Sequence, residues 1–138
     1  MKFPRLNHIA IAVNDQEKLL RVFELLELAH SGKELVADQG VITHFLQGAA
    51  GAQLPQIELL EPVDTEGVIA KYLTKRGPGI HHLCIEVLSC EETCKTLSAG
   101  GIRLIYDVPR NGAHGMKINF IHPEATGGIL IEVSSAHT

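Results

Sequence analysis

The sequence predicts an α+β chain made of two copies of one β-α-β-β-β module. Three observations carry that prediction. Leu6-Asn-His-Ile-Ala-Ile-Ala-Val13 returns 74 residues later inside Gly79-Ile-His-His-Leu-Cys-Ile-Glu-Val87, which sets His8 on His82, Ile11 on Ile85 and Val13 on Val87. The same shift carries Gln56-Ile-Glu-Leu59 onto Leu130-Ile-Glu-Val133, so Glu58 falls on Glu132. Both segments alternate with the period of two that a half-buried strand shows. Each histidine is followed by its glutamate after 50 residues, in both halves.

The elements follow in order. Leu6 to Val13 is a strand with Ile9, Ile11 and Val13 on one face and His8, Ala10 and Ala12 on the other. The bulky face belongs under a helix, and the small face with its one histidine suits a cavity wall. Asn14 is expected to start the helix, with Glu17 as its capping-box partner. Leu19, Val22, Phe23 and Leu26 recur at helical spacing and predict its buried stripe. Residues 28–38 read as a weak strand or loop, and Gly40 to Leu46 as a strand. Gly48 to Gly51 reads as a turn, and Gln56 to Glu61 as a strand that Pro62 ends. Between the halves, Ile69, Tyr72, Leu73 and Arg76 predict a short helix stopped by Gly77-Pro-Gly79.

The second half repeats this plan. In Gly79 to Val87 the apolar face is Leu83, Ile85 and Val87, and the other is His82, Cys84 and Glu86. Ser89-Cys-Glu-Glu92 fits a capping box, Cys90, Thr93, Cys94 and Leu97 form the helix stripe, and Gly100-Gly101 ends it. Arg103 to Val108 reads as a strand, Asn111 to Gly115 as a loop, and Lys117 to His122 as a strand. Pro123 to Gly128 turns into a last strand, Ile129 to Val133, with Ile129, Ile131 and Val133 toward the core and Glu132 away from it. The module limits are about 5–62 and 79–136, joined by a linker at 63–78, within one domain.

Composition bounds the function. The 138 residues are enough for a core without covalent staples, since a chain of this size buries roughly 68% of its unfolded surface. The 16 acidic and 12 basic side chains give a net charge of −4 with no basic run, which makes nucleic acid or an anionic membrane a poor partner. The three cysteines lack metal-type spacing; Cys90 and Cys94 are expected to pack as small apolar side chains. That usage, with no signal peptide and no span of 18 apolar residues, predicts a soluble cytoplasmic protein.

Two imidazoles and two carboxylates, each on a strand and each opposite its bulky face, make the expected metal set: His8, Glu58, His82 and Glu132. Imidazole with carboxylate suits a divalent first-row ion. A curved sheet shared by the two halves would bring these faces together. Taken singly, each residue has an ordinary reading, a packed histidine or a glutamate on a solvent face; the joint repeat favours ligation. His81 faces away from His82 and is expected to pack against a neighbour. His30, His44, His122 and His137 show no partner pattern, and His114 sits in a glycine-flanked loop, where it is a candidate substrate contact.

These residues resemble the methylmalonyl-CoA epimerase family of the vicinal oxygen chelate superfamily, over nearly the whole chain. The resemblance rests on Leu6 to Val13, Ile57-Glu-Leu-Leu-Glu-Pro62, Ile69 to Leu73, Gly79-Ile-His-His82, Gly112-Ala-His-Gly115, Ile121-His-Pro-Glu-Ala-Thr-Gly-Gly128 and Leu130-Ile-Glu132. The first segment is generic to the superfamily; the stretch from Gly112 to Gly128 is far more specific. The resemblance implies paired βαβββ modules forming a metal-holding half-barrel, a homodimer, and a divalent ion, cobalt first, with zinc, nickel, manganese or magnesium as substitutes. It places the ligands at His8, His82 and Glu132, with Glu58 at a fourth position where some members carry Gln. Some members also carry a catalytic glutamate where this chain has Thr43, which is no base at neutral pH.

The implied reaction interconverts R and S methylmalonyl-CoA by 1,1-proton transfer through a metal-stabilised enolate, which needs two acid/base groups. Glu132 is expected to be one and Glu58 the other, with a water held by Thr43 or Asn119 as the fallback. Arg110 and Lys117, beside the His114 loop, are candidates for the phosphates or carboxylate of an acyl-CoA. The alternatives are a glyoxalase-type lyase or isomerase acting on a thiol adduct, and a non-enzymatic ligand-binding protein of the superfamily. A dioxygenase is disfavoured, because a fourth protein carboxylate works against open coordination positions.

Overall fold

The computed structural model describes residues 2–48 and 55–136, so the turn expected at Gly48 to Gly51 lies mostly outside the described residues. The elements are β1 (Arg5–Ala12), α1 (Gln16–Leu25), β2 (Ala29–Val36), β3 (Val41–Gln47), β4 (Gln56–Pro62), α2 (Val68–Arg76), β5 (Gly79–Glu86), α3 (Cys90–Ala99), β6 (Arg110–Asn111), β7 (Lys117–Ile121) and β8 (Ile131–Ser135). The chain divides into two compact units. One runs from His8 to His81; the other joins the segment ending at Asn7 to everything from His82 onward.

In the His8–His81 unit the strand order is β2-β3-β4-β1. β1 and β4 run parallel, with Ala10 opposite Glu58, and β4, β3 and β2 follow antiparallel. A parallel neighbour needs a crossover, and α1 begins it. The core consists of Val13, Leu46 and Leu59, with Ile11, Leu19, Leu20, Phe23 and Ile57 packed on it. The bulky face of β1 therefore does lie under the helix.

The helix itself differs from expectation. Its cap is Asp15, whose carboxylate accepts the Lys18 N–H at 3.2 Å, one residue beyond the expected Asn14. Its core-facing stripe is the half-buried Leu19, Leu20 and Phe23, while Val22 is 50% and Leu26 64% exposed. Leu20 competes with Val22 for the apolar face, and packing on Leu46 and Leu59 selects the rotation. α2 ends at Gly77 (φ 75°), and the Tyr72 ring meets His81 edge-on at 4.9 Å, the neighbour expected for that histidine.

In the other unit the order is β5-β8-β7-β6, again with one parallel pair: Cys84 faces Glu132 in β5–β8, as Ala10 faces Glu58 in β1–β4. Ser89 caps α3 through the Glu92 N–H at 3.2 Å, and Gly101 (φ 81°) follows its end. Cys90, Cys94 and Val133 form the core, with Val87, Leu97, Leu104 and Ile121 around them. Burial, with Cys94 beside it, pushes the Cys90 thiol up to about 12, so it remains protonated and donates to the Val133 carbonyl at 3.7 Å. The last strand starts at Ile131 rather than Ile129; Ile129 is 57% exposed, held in the preceding turn by its N–H to Thr126 Oγ1.

Arg103 to Val108 is not a strand. One bridge, Leu104 to Ile121, survives, and then the chain bends. Asn119 explains the departure. Its amide takes the place of a strand partner: Oδ1 accepts the Tyr106 N–H at 3.1 Å and Nδ2 donates to the Tyr106 carbonyl at 3.0 Å. Asn119 is fully buried, and Nδ2 also lies 3.5 Å from Cys94 Sγ. Asn119→Ala would leave both Tyr106 backbone groups without their partner and is expected to cost about 1–3 kcal/mol. Urea denaturation should show a lower midpoint at an unchanged slope.

Candidate metal centre and active site

The strand registers decide which side chains share a face. In β1, His8, Ala10 and Ala12 point together; across β4 they are joined by Glu58 and Leu60, and across β3 by Thr43 and Phe45. His8, Glu58, Thr43 and Phe45 are all buried. His8 Nδ1 lies 3.0 Å from Glu58 Oε2. The other unit builds the same face from His82, Cys84 and Glu86 on β5, Glu132 and Ser134 on β8, and Ile118 and Phe120 on β7. There His82 Nε2 lies 3.1 Å from Glu132 Oε1, and the Phe120 ring meets the His82 ring edge-on at 5.5 Å.

The repeat thus extends beyond the histidines and glutamates. Phe45 faces Glu58 and Phe120 faces Glu132 across their antiparallel pairs. These phenylalanines fall one residue off the 74-residue period, which hid them from a rigid shift.

Each unit brings one imidazole nitrogen to a carboxylate oxygen in a desolvated place. That spacing suits a hydrogen bond. It equally suits two neighbouring ligands of one ion, because bonds of about 2.1 Å at right angles place the donors about 3.0 Å apart. The donor set fits a divalent first-row metal.

Glu86 stands on the same face as His82 and is buried; its Oε1 takes Arg5 Nε and Nη2 at 3.2 and 3.1 Å and Asn7 Nδ2 at 2.8 Å. The module-1 counterpart is Ala12. Cys84, whose counterpart is Ala10, is fully buried, and its thiol donates to Ser134 Oγ at 3.2 Å.

The remaining expected site residues separate by register. Arg110 pairs with Ile118 and so lies on the Glu132 side of its hairpin; its guanidinium sits 4.0 Å over the Tyr106 ring. Tyr106 meets Phe120 edge-on at 6.1 Å, and Phe120 meets His82. A file of side chains therefore runs from exposed Arg110 to the buried imidazole, through a tyrosine that the sequence had not singled out. Lys117 and Asn119 pair with Ser135 and Val133, on the opposite, α3-facing side. Lys117 donates to Asn111 Oδ1 at 2.8 Å, and Asn119 is committed to Tyr106. His114 is exposed in a turn at φ 58°.

Three histidines without an expected partner do have one. His44 is buried with Nε2 2.8 Å from Glu61 Oε1 and Nδ1 3.3 Å from His30 Nε2. His122 Nδ1 accepts the Glu124 N–H at 3.1 Å.

The chain matches the Glyoxalase/Bleomycin resistance protein/Dioxygenase superfamily over residues 7–120. It belongs to that superfamily. Within it, the chain is 36% identical over 134 residues to the ethylmalonyl-CoA/methylmalonyl-CoA epimerase of Cereibacter sphaeroides, covering 94% of this chain and 96% of that one. It superposes on the crystal structure of methylmalonyl-CoA epimerase from Mycobacterium tuberculosis with a TM-score of 0.88 and 37% identity, over 96% of this chain and 88% of that one. A methylmalonyl-CoA epimerase solved with methylmalonyl-CoA and an ammonium ion matches at TM-score 0.88 and 27% identity, over 98% of this chain and 96% of that one. The glyoxalase-like fold and the epimerase kinship expected from sequence both hold. Among the described residues no helix is long and apolar enough to cross a membrane.

Burial, then the neighbouring His44, lowers the His30 pKa below its usual 6.5. The unfolded chain then takes up a proton at a higher pH than the folded chain, so stability is lost as pH falls through this range. His30→Asn is expected to flatten the stability profile of metal-free protein below about pH 6.5, measured by urea denaturation across pH.

Proposed function

We propose that the chain is an epimerase of 2-substituted malonyl-CoA thioesters, methylmalonyl-CoA foremost, and that His8, Glu58, His82 and Glu132 together hold one divalent ion, cobalt first. The observation that carries this is the buried histidine–glutamate pair present once in each unit, in a chain 36–37% identical to epimerases. A bound divalent cation supplies Lewis-acid stabilisation of negative charge on the substrate. The protein does the rest.

The carbon between a thioester and a carboxylate gives up its proton to a carboxylate on one side, and receives one from a second group on the other. Glu132 and Glu58 are the two groups, one from each module, and His82 and His8 fix the direction in which their oxygens point. Thr43, buried on the Glu58 face, is no base at neutral pH. Phe45 and Phe120 stand across their antiparallel pairs from the two carboxylates and line that side of each. Arg110, at the exposed end of the aromatic file, meets the anionic arm of the coenzyme. A homodimer in a reducing, cytoplasmic compartment accompanies this reading; the three cysteines are free and buried, as such a compartment favours.

Proton NMR of racemic methylmalonyl-CoA in deuterium oxide, with a coupled epimerase assay, tests the proposal. Metal-stripped protein should neither exchange the α-proton nor epimerise, and cobalt should restore both. Absence of exchange with every divalent ion would overturn the reading. Glu58→Gln should cut epimerisation about 100-fold or more while one stereoisomer still exchanges its α-proton. Unchanged epimerisation in that variant would remove Glu58 from the proton path.

A further inference from the structure

The His30–His44–Glu61 cluster lies in the His8–His81 unit, on the face of β3 and β4 opposite Glu58. His44 pairs with Leu59, and Glu61 follows two residues on along β4. His30 reaches this face only because the β2–β3 register shifts between His30 and Gly32. Ser31 is the extra residue, and Gly32 takes φ 152°, a conformation that side-chain-bearing residues rarely adopt. A bulge of this kind re-aims a side chain; here it turns the His30 ring onto His44.

The proton inventory of the two rings leaves room for a ligand. Glu61 holds His44 Nε2 at 2.8 Å, so that nitrogen carries the proton and donates it, and Nδ1 presents a lone pair. His30 Nε2 faces that lone pair at 3.3 Å. With the His30 proton on Nδ1, two lone pairs point at each other. A cation between them would then satisfy both. Burial and His44 lower the His30 pKa, and the Gly32 backbone raises it.

A metal ion fits the gap. Two imidazole nitrogens about 2.0–2.1 Å from a tetrahedral ion stand about 3.3 Å apart. A carboxylate on the far nitrogen of a ligating histidine is the usual way its ring is oriented and made more basic. The bare hydrogen bond, by contrast, would be long.

We propose that His30 Nε2 and His44 Nδ1 form a second metal site, separate from the His8, Glu58, His82 and Glu132 set, for an imidazole-preferring divalent ion such as Zn²⁺ or Ni²⁺. Glu61 orients His44, and water completes the coordination. Lys33, paired directly with His44 on the neighbouring strand, holds the affinity down by its charge.

The test uses full-length, untagged, metal-stripped protein. Zn²⁺ is titrated against a chromophoric chelator while the imidazole signals are followed by ¹H–¹⁵N NMR. Wild type should take up one more ion per chain than His30→Ala, a change at an exposed position that should leave epimerase activity of the cobalt-loaded protein intact. Glu61→Gln should weaken this site about 10-fold or more, and Lys33→Ala should strengthen it. His8→Ala should leave the His30 and His44 ring shifts in place, so the outcome does not depend on the epimerase reading. Equal uptake by wild type and His30→Ala, or ring signals of His30 and His44 that Zn²⁺ does not move, would overturn the proposal and leave a shared proton in the gap.

Discussion

A buried carboxylate facing a buried imidazole across two parallel strands is the constraint on which each half of this chain depends. Glu58 and Glu132 each stand among apolar neighbours, where an isolated charge would cost several kcal/mol. His8 and His82 offset that cost at 3.0 and 3.1 Å. The parallel pairing fixes the geometry. Ala10 opposite Glu58, and Cys84 opposite Glu132, put the histidine two residues upstream on the same face. Slipping the register by one residue would send every one of these groups to the helix side.

The faces are divided accordingly. The helix side carries the packing that holds the strands in register: Val13, Leu46 and Leu59 in one unit, Cys90, Cys94 and Val133 in the other. The other side carries polar groups at positions where apolar side chains would have stabilised more. Asn119 and Lys117 belong to the first category by register, and Arg110 and Tyr106 to the second by register and ring contact. A single alternation along β7 therefore separates a structural amide from the phenylalanine beside His82.

The two modules agree at the histidines, glutamates and cross-strand phenylalanines and diverge around them. Ala10 and Ala12 in one correspond to Cys84 and Glu86 in the other, and Thr43 stands where the second module has Ile118. An epimerase must offer similar proton-transfer groups to the two faces of one carbon while holding an asymmetric thioester in one orientation. The agreement meets the first demand and the divergence leaves room for the second.

Much of this was legible in the chain itself. The 74-residue repeat, the alternation of β1 and β5 and the equal spacing of the histidine–glutamate pairs fixed the module plan and selected the four candidate ligands, because strand parity is a local property and survives without tertiary context. Tertiary contact decided what local pattern cannot. The rotation of α1 depended on which leucine met Leu46 and Leu59. The loss of a strand at Arg103 to Val108 depended on an amide thirteen residues away in sequence, bonded to Tyr106. The pairing of His30 with His44 depended on one bulged residue, Ser31, which inverts the parity that sequence reading relies on. Period-two patterns report the face of a side chain only while the ladder is unbroken; where a bulge or a side-chain bridge interrupts it, only the fold tells which groups meet.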